Sequence, residues 1–289
     1  MKEHCPKAGL GRLCKLFGAS RQAWYQYVNR EADVPIREGL ILDMARTLRT
    51  RIKKSGSTKI HKVLSPDLKA HNIYVGRDRF HILLRANDML IKPRKKYCVR
   101  TTDSRHRYRK WPNLTGELKV TAPHQLWVSD ITYLRTKEDN FLYLSLITDG
   151  FSRKIIGHHL SHSLSASGCI SALHKAIAQL PAGRTPVHHS DRGVQYCCDR
   201  YAAILQGSGI AISMTQSGSP YENAMAERVN GILKTEFDLD STFKDYREAV
   251  SAVSRAIDIY NTVRPHFSCA LQTPEQTHQQ DQVPHNATL

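Results

Sequence analysis

The chain has 289 residues, enough for two or three domains with a real core. Its formal charge of +16 is uneven: residues 1–120 carry 28 Lys or Arg against 10 Asp or Glu, whereas residues 121–289 carry 14 against 16. No apolar run approaches the roughly 18 residues of a membrane span, no signal segment is visible, and seven cysteines without a Cys-x-x-Cys pair make no disulfide framework. The expectation is a soluble, cytoplasmic protein whose basic front grips a polyanion while a near-neutral rear does chemistry.

In chain order, Leu10, Leu13, Leu16 and Phe17 fall at helical spacing, followed by Gly18-Ala19-Ser20 and by Arg21-Gln22-Ala23-Trp24-Tyr25. Helix, glycine turn, serine cap and second helix describe a helix-turn-helix over residues 1–32, with a plain helical hairpin as the alternative. Arg21 and Gln22 would begin the helix that enters a major groove. Residues 36–54 predict a basic amphipathic helix with Leu40, Ile41, Met44, Leu48 and Ile52 on one face. Ser57–His71 and Arg77–Asp88 predict two more, giving a second small helical unit over residues 36–91. Its Lys59, Lys62, Lys69, Arg77 and Arg79 are candidates for phosphate contacts, with solvated surface as the alternative. Residues 92–120 read as a basic linker: Lys92 to Lys110 holds nine Lys or Arg and one Asp, with aromatic residues between them. Such a segment, including Lys95 and Lys96, suits an extended path along DNA.

From residue 121 the rhythm changes. Leu126–Leu134, Phe141–Thr148 and Lys154–Leu160 predict three consecutive strands. Ser165–Leu180 predicts a helix, Val187–Ser190 a short buried strand, Asp199–Gln206 a helix and Ile210–Met214 another strand. Three strands followed by alternating helix and strand fit a mixed sheet flanked by helices, an α/β class. Ser219-Pro220-Tyr221-Glu222 reads as a capping box opening the next helix, with Asn223 as an alternative cap. Ser217-Gly218-Ser219 before it suggests a mobile loop. Tyr246–Thr262 is a last amphipathic helix closed by Arg264-Pro265-His266, and residues 281–289 form a polar tail.

Three carboxylates in this rear half carry a chemical meaning. Asp130 lies inside an apolar strand, Asp191 follows a short buried strand, and Glu227 sits on a predicted helix, with 60 residues between the first two and 35 between the last two. An acid within a strand is costly to bury unless paired or bound to metal, and three acids together stay ionised only if cations neutralise them. All-oxygen sites suit magnesium or manganese, and two such ions can clamp the attacking and leaving oxygens of a phosphoryl displacement. Asn223, Glu227 and Lys234 share one helix face, so Lys234 could hold a DNA phosphate beside the acids. Asp149, where a strand ends, reads as a turn aspartate. His188 and His189 read as core or neighbouring groups rather than ligands.

The order Asp, Asp, thirty-five residues, Glu resembles the signature of retroviral-type integrases and their bacterial relatives. Gln125–Tyr133, His189–Tyr196, Asn223-Ala224 before Glu227, Leu233–Glu236 and Tyr260–His266 each resemble a family motif. Together they look like the transposase encoded by the second reading frame of insertion sequences of the "IS three" type. The resemblance implies a ribonuclease-H-like integrase catalytic core over residues 121–280, a mixed five-stranded sheet flanked by helices, preceded by small all-α helix-turn-helix DNA-binding domains. It implies that Asp130, Asp191 and Glu227 are both catalytic residues and metal ligands. Arg228, Lys234 and Arg264 are further DNA-contact candidates; for Arg264 the other reading is structural, with Tyr260 to His266 capping and closing the core. The partners it implies are double-stranded DNA (the element's terminal inverted repeats and target DNA), further copies of the chain assembled on that DNA, and a frameshift fusion to an upstream-frame product, with no membrane. Many integrases also carry an N-terminal zinc module, but Cys5, Cys14 and the early histidines lack paired-ligand spacing, so no zinc is expected. The alternatives are a nuclease on the same fold and a DNA-binding regulator without catalysis. A regulator would lack an acid, and none is missing; a simple nuclease does not need the basic front.

Overall fold

The computed structural model describes residues 9–92, 106–138, 140–216 and 223–280. Helix α1 (Leu10–Leu16) turns at Gly18, whose φ of +66° suits glycine, and the Ser20 hydroxyl caps α2 by accepting the Ala23 N–H at 3.0 Å. Helix, turn and cap therefore stand where the sequence puts them. The length of the second helix differs from expectation: α2 runs unbroken from Arg21 to Arg51, through Pro35. The expected divide between residues 32 and 36 lies inside one continuous helix. Proline forfeits a single backbone bond here, and helix formers such as Arg37, Glu38 and Leu40 carry the element on.

The second half of α2 packs with α3 (Ser57–Ala70) and α4 (Arg77–Ala86) around Ile41, Ala45, Ile52, Ile60, Phe80 and Leu84. Ile259, from the far end of the chain, completes this cluster, so the helical unit is docked on the rear domain.

The rear domain is built on one sheet: β1 (Leu126–Thr136), β2 (Asn140–Asp149), β3 (Ile155–Ser161), β4 (Val187–Ser190) and β5 (Ala211–Met214), in the order β3-β2-β1-β4-β5. β1, β2 and β3 are antiparallel, whereas β4 and β5 run parallel to β1. A sixth strand, β6 (Thr242–Phe243), pairs with the end of β1; two residues are too few to show a period in sequence. Helices α5 (Ala166–Ile177), α6 (Val194–Cys197) and α7 (Asp199–Gly207) cover one face, with Trp127, Ile147, Leu173, Tyr201 and Leu205 between the layers. Gly157 on β3 is required there, since a Cβ would stand 2.3 Å from the Ala172 carbonyl oxygen of α5. Helices α8 (Ala224–Glu236) and α9 (Tyr246–Thr262) cover the other face, burying Leu134, Leu144, Leu146, Val229, Leu233 and Val253, and α10 (Pro274–Gln279) comes next. This is the ribonuclease-H-like α/β arrangement.

The described end of the linker is strapped to β5: Met214 N–H donates to the Pro112 carbonyl at 3.2 Å, and Leu114 N–H to the Ser213 hydroxyl at 2.9 Å. Lys95, Lys96, Cys5, Ser217 to Glu222 and the tail lie outside the described residues. No described helix is long and apolar enough to cross a membrane.

Candidate active site

β1 and β4 are parallel neighbours, with Val128 opposite His189. Two residues further along each chain come Asp130 and Asp191, so this register sets the two aspartates side by side where β4 ends. The third acid arrives on α8. Asn223, at its N-cap, donates from Nδ2 to the Ser129 carbonyl at 3.2 Å, fixing the helix start against β1 beside Asp130. Glu227 then lies in the first turn of α8, where the helix dipole favours a negative charge. One turn later Asn230 donates from Nδ2 to Asp130 Oδ2 at 2.8 Å.

The electrostatics agree with this placement. Burial, then the charge of Asp191, and to a smaller extent that of Glu227, push Asp130 up to about 7, against the opposing pull of the Asn230 hydrogen bond. Asp191 keeps its place through Oδ1, which accepts the Gly193 N–H at 3.0 Å. Glu227 is exposed. Lys234, partly buried on the same helix face, is lowered by burial, raised by Asp130 and lowered by Arg135, so it lies within reach of both.

Among the described residues no group of three His, Cys, Asp or Glu stands close enough together to grip one ion as the chain stands. The residues nevertheless fit a hard divalent cation. They are all oxygen donors, the exposed Glu227 side chain has room to swing, and the buried Oδ1 atoms of Asn223 and Asn230 have no hydrogen-bond partner.

The neighbouring groups are structural. Asp149 is fully buried, with Oδ1 accepting from Ser152 N–H and Oγ, both at 2.8 Å, and Oδ2 accepting from His124 N–H at 2.7 Å, as its turn reading requires. His188 lies in the core between Ser129 Oγ at 2.7 Å and Tyr201 OH at 2.9 Å, and burial drives it down to about 3. His189 bonds Ser213 Oγ at 2.8 Å.

Of the DNA-contact candidates Lys59 needs correcting, and Arg264 takes its structural reading. Lys59 is 6% exposed and Arg264 1% exposed. Both are bound to Glu236 at the end of α8: Arg264 through two bonds of 2.7 and 2.8 Å, Lys59 through one of 2.8 Å. They clasp the helical unit to the rear domain and present no charge to solvent. Sequence could not reveal this, because the shared partner lies 177 residues from Lys59. Arg21, Gln22, Lys62 and Arg228 are exposed. Asn230 escaped the sequence reading, although it stands at i+7 from Asn223, on the face already drawn through Glu227 and Lys234.

Two family models described as integrase core domain match the chain, over residues 120–220 and 208–274. The insertion element IS600 uncharacterized 31 kDa protein of Shigella sonnei is 34% identical over 260 residues, 88% of this chain and 93% of that protein. The transposase InsF for insertion sequence IS3A of Escherichia coli is 26% identical over 277 residues, 96% of each chain. The transposase for insertion sequence element IS629 of Shigella sonnei is 35% identical over 167 residues, 57% of this chain and 55% of that protein.

Proposed function

This chain belongs to the insertion-sequence transposases of the IS3 type, and on that premise we propose that Asp130, Asp191 and Glu227 form the centre at which it cuts and joins DNA strands. The single observation that carries the reading is the register of β1 against β4, which aligns Asp130 with Asp191, while Asn223 and Asn230 tie the Glu227 helix to the same point. Water attacks one phosphodiester at an element end, breaking the P–O bond to the 3′ oxygen, which leaves as a 3′ hydroxyl. That hydroxyl attacks a second phosphodiester, forming the new strand joint as the attacked bond breaks and its own 3′ oxygen leaves as a hydroxyl, with no covalent bond to protein.

Asp130, Asp191 and Glu227 would hold one or two magnesium or manganese ions. When bound, these supply the charge neutralisation and Lewis acidity that phosphoryl transfer needs. The chain itself positions and orients. Asn230 directs the Asp130 carboxylate, Gly193 N–H directs that of Asp191, and Lys234 takes a phosphate beside them. Arg21, Gln22 and Lys62, exposed on the basic helical front, contact the DNA ends, and Arg228 lies beside Glu227 to do the same. Copies of the chain assemble on paired ends, with an upstream-frame product supplied by frameshift fusion. The test is strand cleavage and joining on a supplied element end. Asp130→Asn, Asp191→Asn and Glu227→Gln should each abolish both steps while DNA binding persists, and the triple variant should be no worse than the singles. Robust joining by any single variant would refute the assignment.

A further inference from the structure

Side chains alternate along β1, so if Asp130 faces α8, then Tyr133 and Arg135 face the other way. On that second face Tyr133 lies directly across from Tyr143 on β2, their rings 5.2 Å apart and edge to face. Phe141 stands edge-on to Tyr133 at 6.2 Å, and in the register it is opposite Arg135. Aromatic pairs across strands are ordinary stabilisers of a sheet. This group differs because α5, which covers β2 and β3 further along, leaves it open. Phe141 is 44% exposed, Arg135 is exposed, and both tyrosines are only partly buried.

Tyr133 is also close to two of the acids, three residues beyond Asp130 on β1. The Tyr133 hydroxyl is raised by burial, by Tyr143, and by the charges of Asp130 and Asp191. Lys234 feels both Asp130 and Arg135. Arg135, opposite Phe141 in the register, sets one cation beside the rings, and Lys234 sets another on the α8 side of the sheet near Asp130.

We infer that Tyr133, Tyr143 and Phe141, with Arg135 beside them, form a stacking site for an unpaired nucleobase of the DNA strand whose phosphate lies at Asp130 and Asp191. The inference rests on the phosphodiester chemistry proposed above. Aromatic rings stack any base that has left its duplex, because every base has a π face, and a strand opened for cutting supplies such bases. Arg135 and Lys234 are placed to take the flanking phosphates.

The test uses the full chain and two DNA duplexes, one blunt and one ending in a short single-stranded overhang that carries 2-aminopurine. Wild-type protein should quench the overhang fluorophore on binding and prefer the overhang duplex. Phe141→Ala and Tyr133→Ala should lose the quenching and weaken overhang binding by roughly 5- to 150-fold, equivalent to about 1–3 kcal/mol per stacked base, with blunt-duplex affinity unchanged. Phe141→Trp should keep both properties. Phe141 is exposed enough that its replacement leaves the core intact, which melting curves will confirm. Quenching by Phe141→Ala and Tyr133→Ala equal to wild type overturns the inference. So does a change of oligomeric mass in Phe141→Ala with quenching retained, which would make the patch an interface between copies. Asp130→Asn should quench normally without cutting. A wild-type chain that quenches but never cuts would sink the strand-transfer reading and leave the stacking site standing.

Discussion

Asn230 donates its side-chain N–H to Asp130 at 2.8 Å, so the helix that carries Glu227 also orients the carboxylate on β1. One helix face thereby spans the site: Asn223 fixes the start, Glu227 supplies the acid, Asn230 holds Asp130, and Lys234 stands one turn later. Asn230→Ala should therefore impair strand cleavage without weakening DNA binding. Groups that orient a metal-binding carboxylate typically contribute about 10- to 100-fold, and a loss of that size is expected. Cleavage rates and binding isotherms measured on the same oligonucleotide decide the matter. An unchanged rate would show that Asp130 needs no such support.

Lys59 and Lys62 are three residues apart in one helix and have opposite surroundings: Lys59 is buried against Glu236, whereas Lys62 is exposed. Lys62→Ala should weaken DNA binding across all sequences and reduce the slope of log affinity against log salt by about 1. Lys59→Ala should leave that slope alone and lower the melting temperature instead. Identical salt slopes for wild type and Lys62→Ala would remove Lys62 from the interface.

Arg264→Ala tests the clasp more severely. It leaves the partly buried Glu236 with Lys59 as its remaining ion-pair partner among the described residues, and Arg264 itself holds the Glu236 carboxyl below the usual range despite burial. Breaking a buried pair by removing one partner costs about 3–5 kcal/mol, so marked destabilisation is expected. The double variant Arg264→Leu with Glu236→Leu should recover part of the loss. If Arg264→Ala melts like wild type in urea while losing DNA affinity, the residue is a DNA contact after all.

These contrasts show what was legible in the sequence. The strands around Asp130 and Asp191 and the helix of Glu227 announce themselves through local period and spacing, so the sheet and its three acids could be placed from residues alone. A lysine's surroundings cannot be read that way: Lys59 and Lys62 look alike until Glu236 is folded against one of them. The divide drawn between residues 32 and 36 failed for a related reason, and Pro35 lies within it. The proline's cost is local, whereas the decision to continue α2 is made by the helix formers on either side and by packing of its second half. Asn230 was within reach, because helical spacing from Asn223 predicts its face; what spacing could not supply was its partner, set by how α8 lies on β1.

Repulsion between Asp130 and its neighbours makes the metal-free fold sensitive to pH. Burial and the charge of Asp191 raise Asp130 from 3.8 to about 7, so the folded chain holds a proton that the unfolded chain has already released. Between those values the native state binds more protons, so the metal-free fold should lose stability as pH rises from about 4 to about 7 and level off above. Asp130→Asn carries no such proton. Its melting temperature should be higher than wild type at pH 8 by several degrees, each 1 kcal/mol being about 2–4 °C for a chain near this size, and the difference should shrink towards pH 4. Magnesium binds only the folded gathering of carboxylates, and at a hundredfold excess over its dissociation constant it should add about 2.7 kcal/mol to wild type. Asp130→Asn should gain less. Melting curves at pH 5 and pH 8, with and without magnesium at matched ionic strength, read all four quantities. An equal magnesium gain in both proteins at pH 8 would mean general screening rather than binding at Asp130, Asp191 and Glu227.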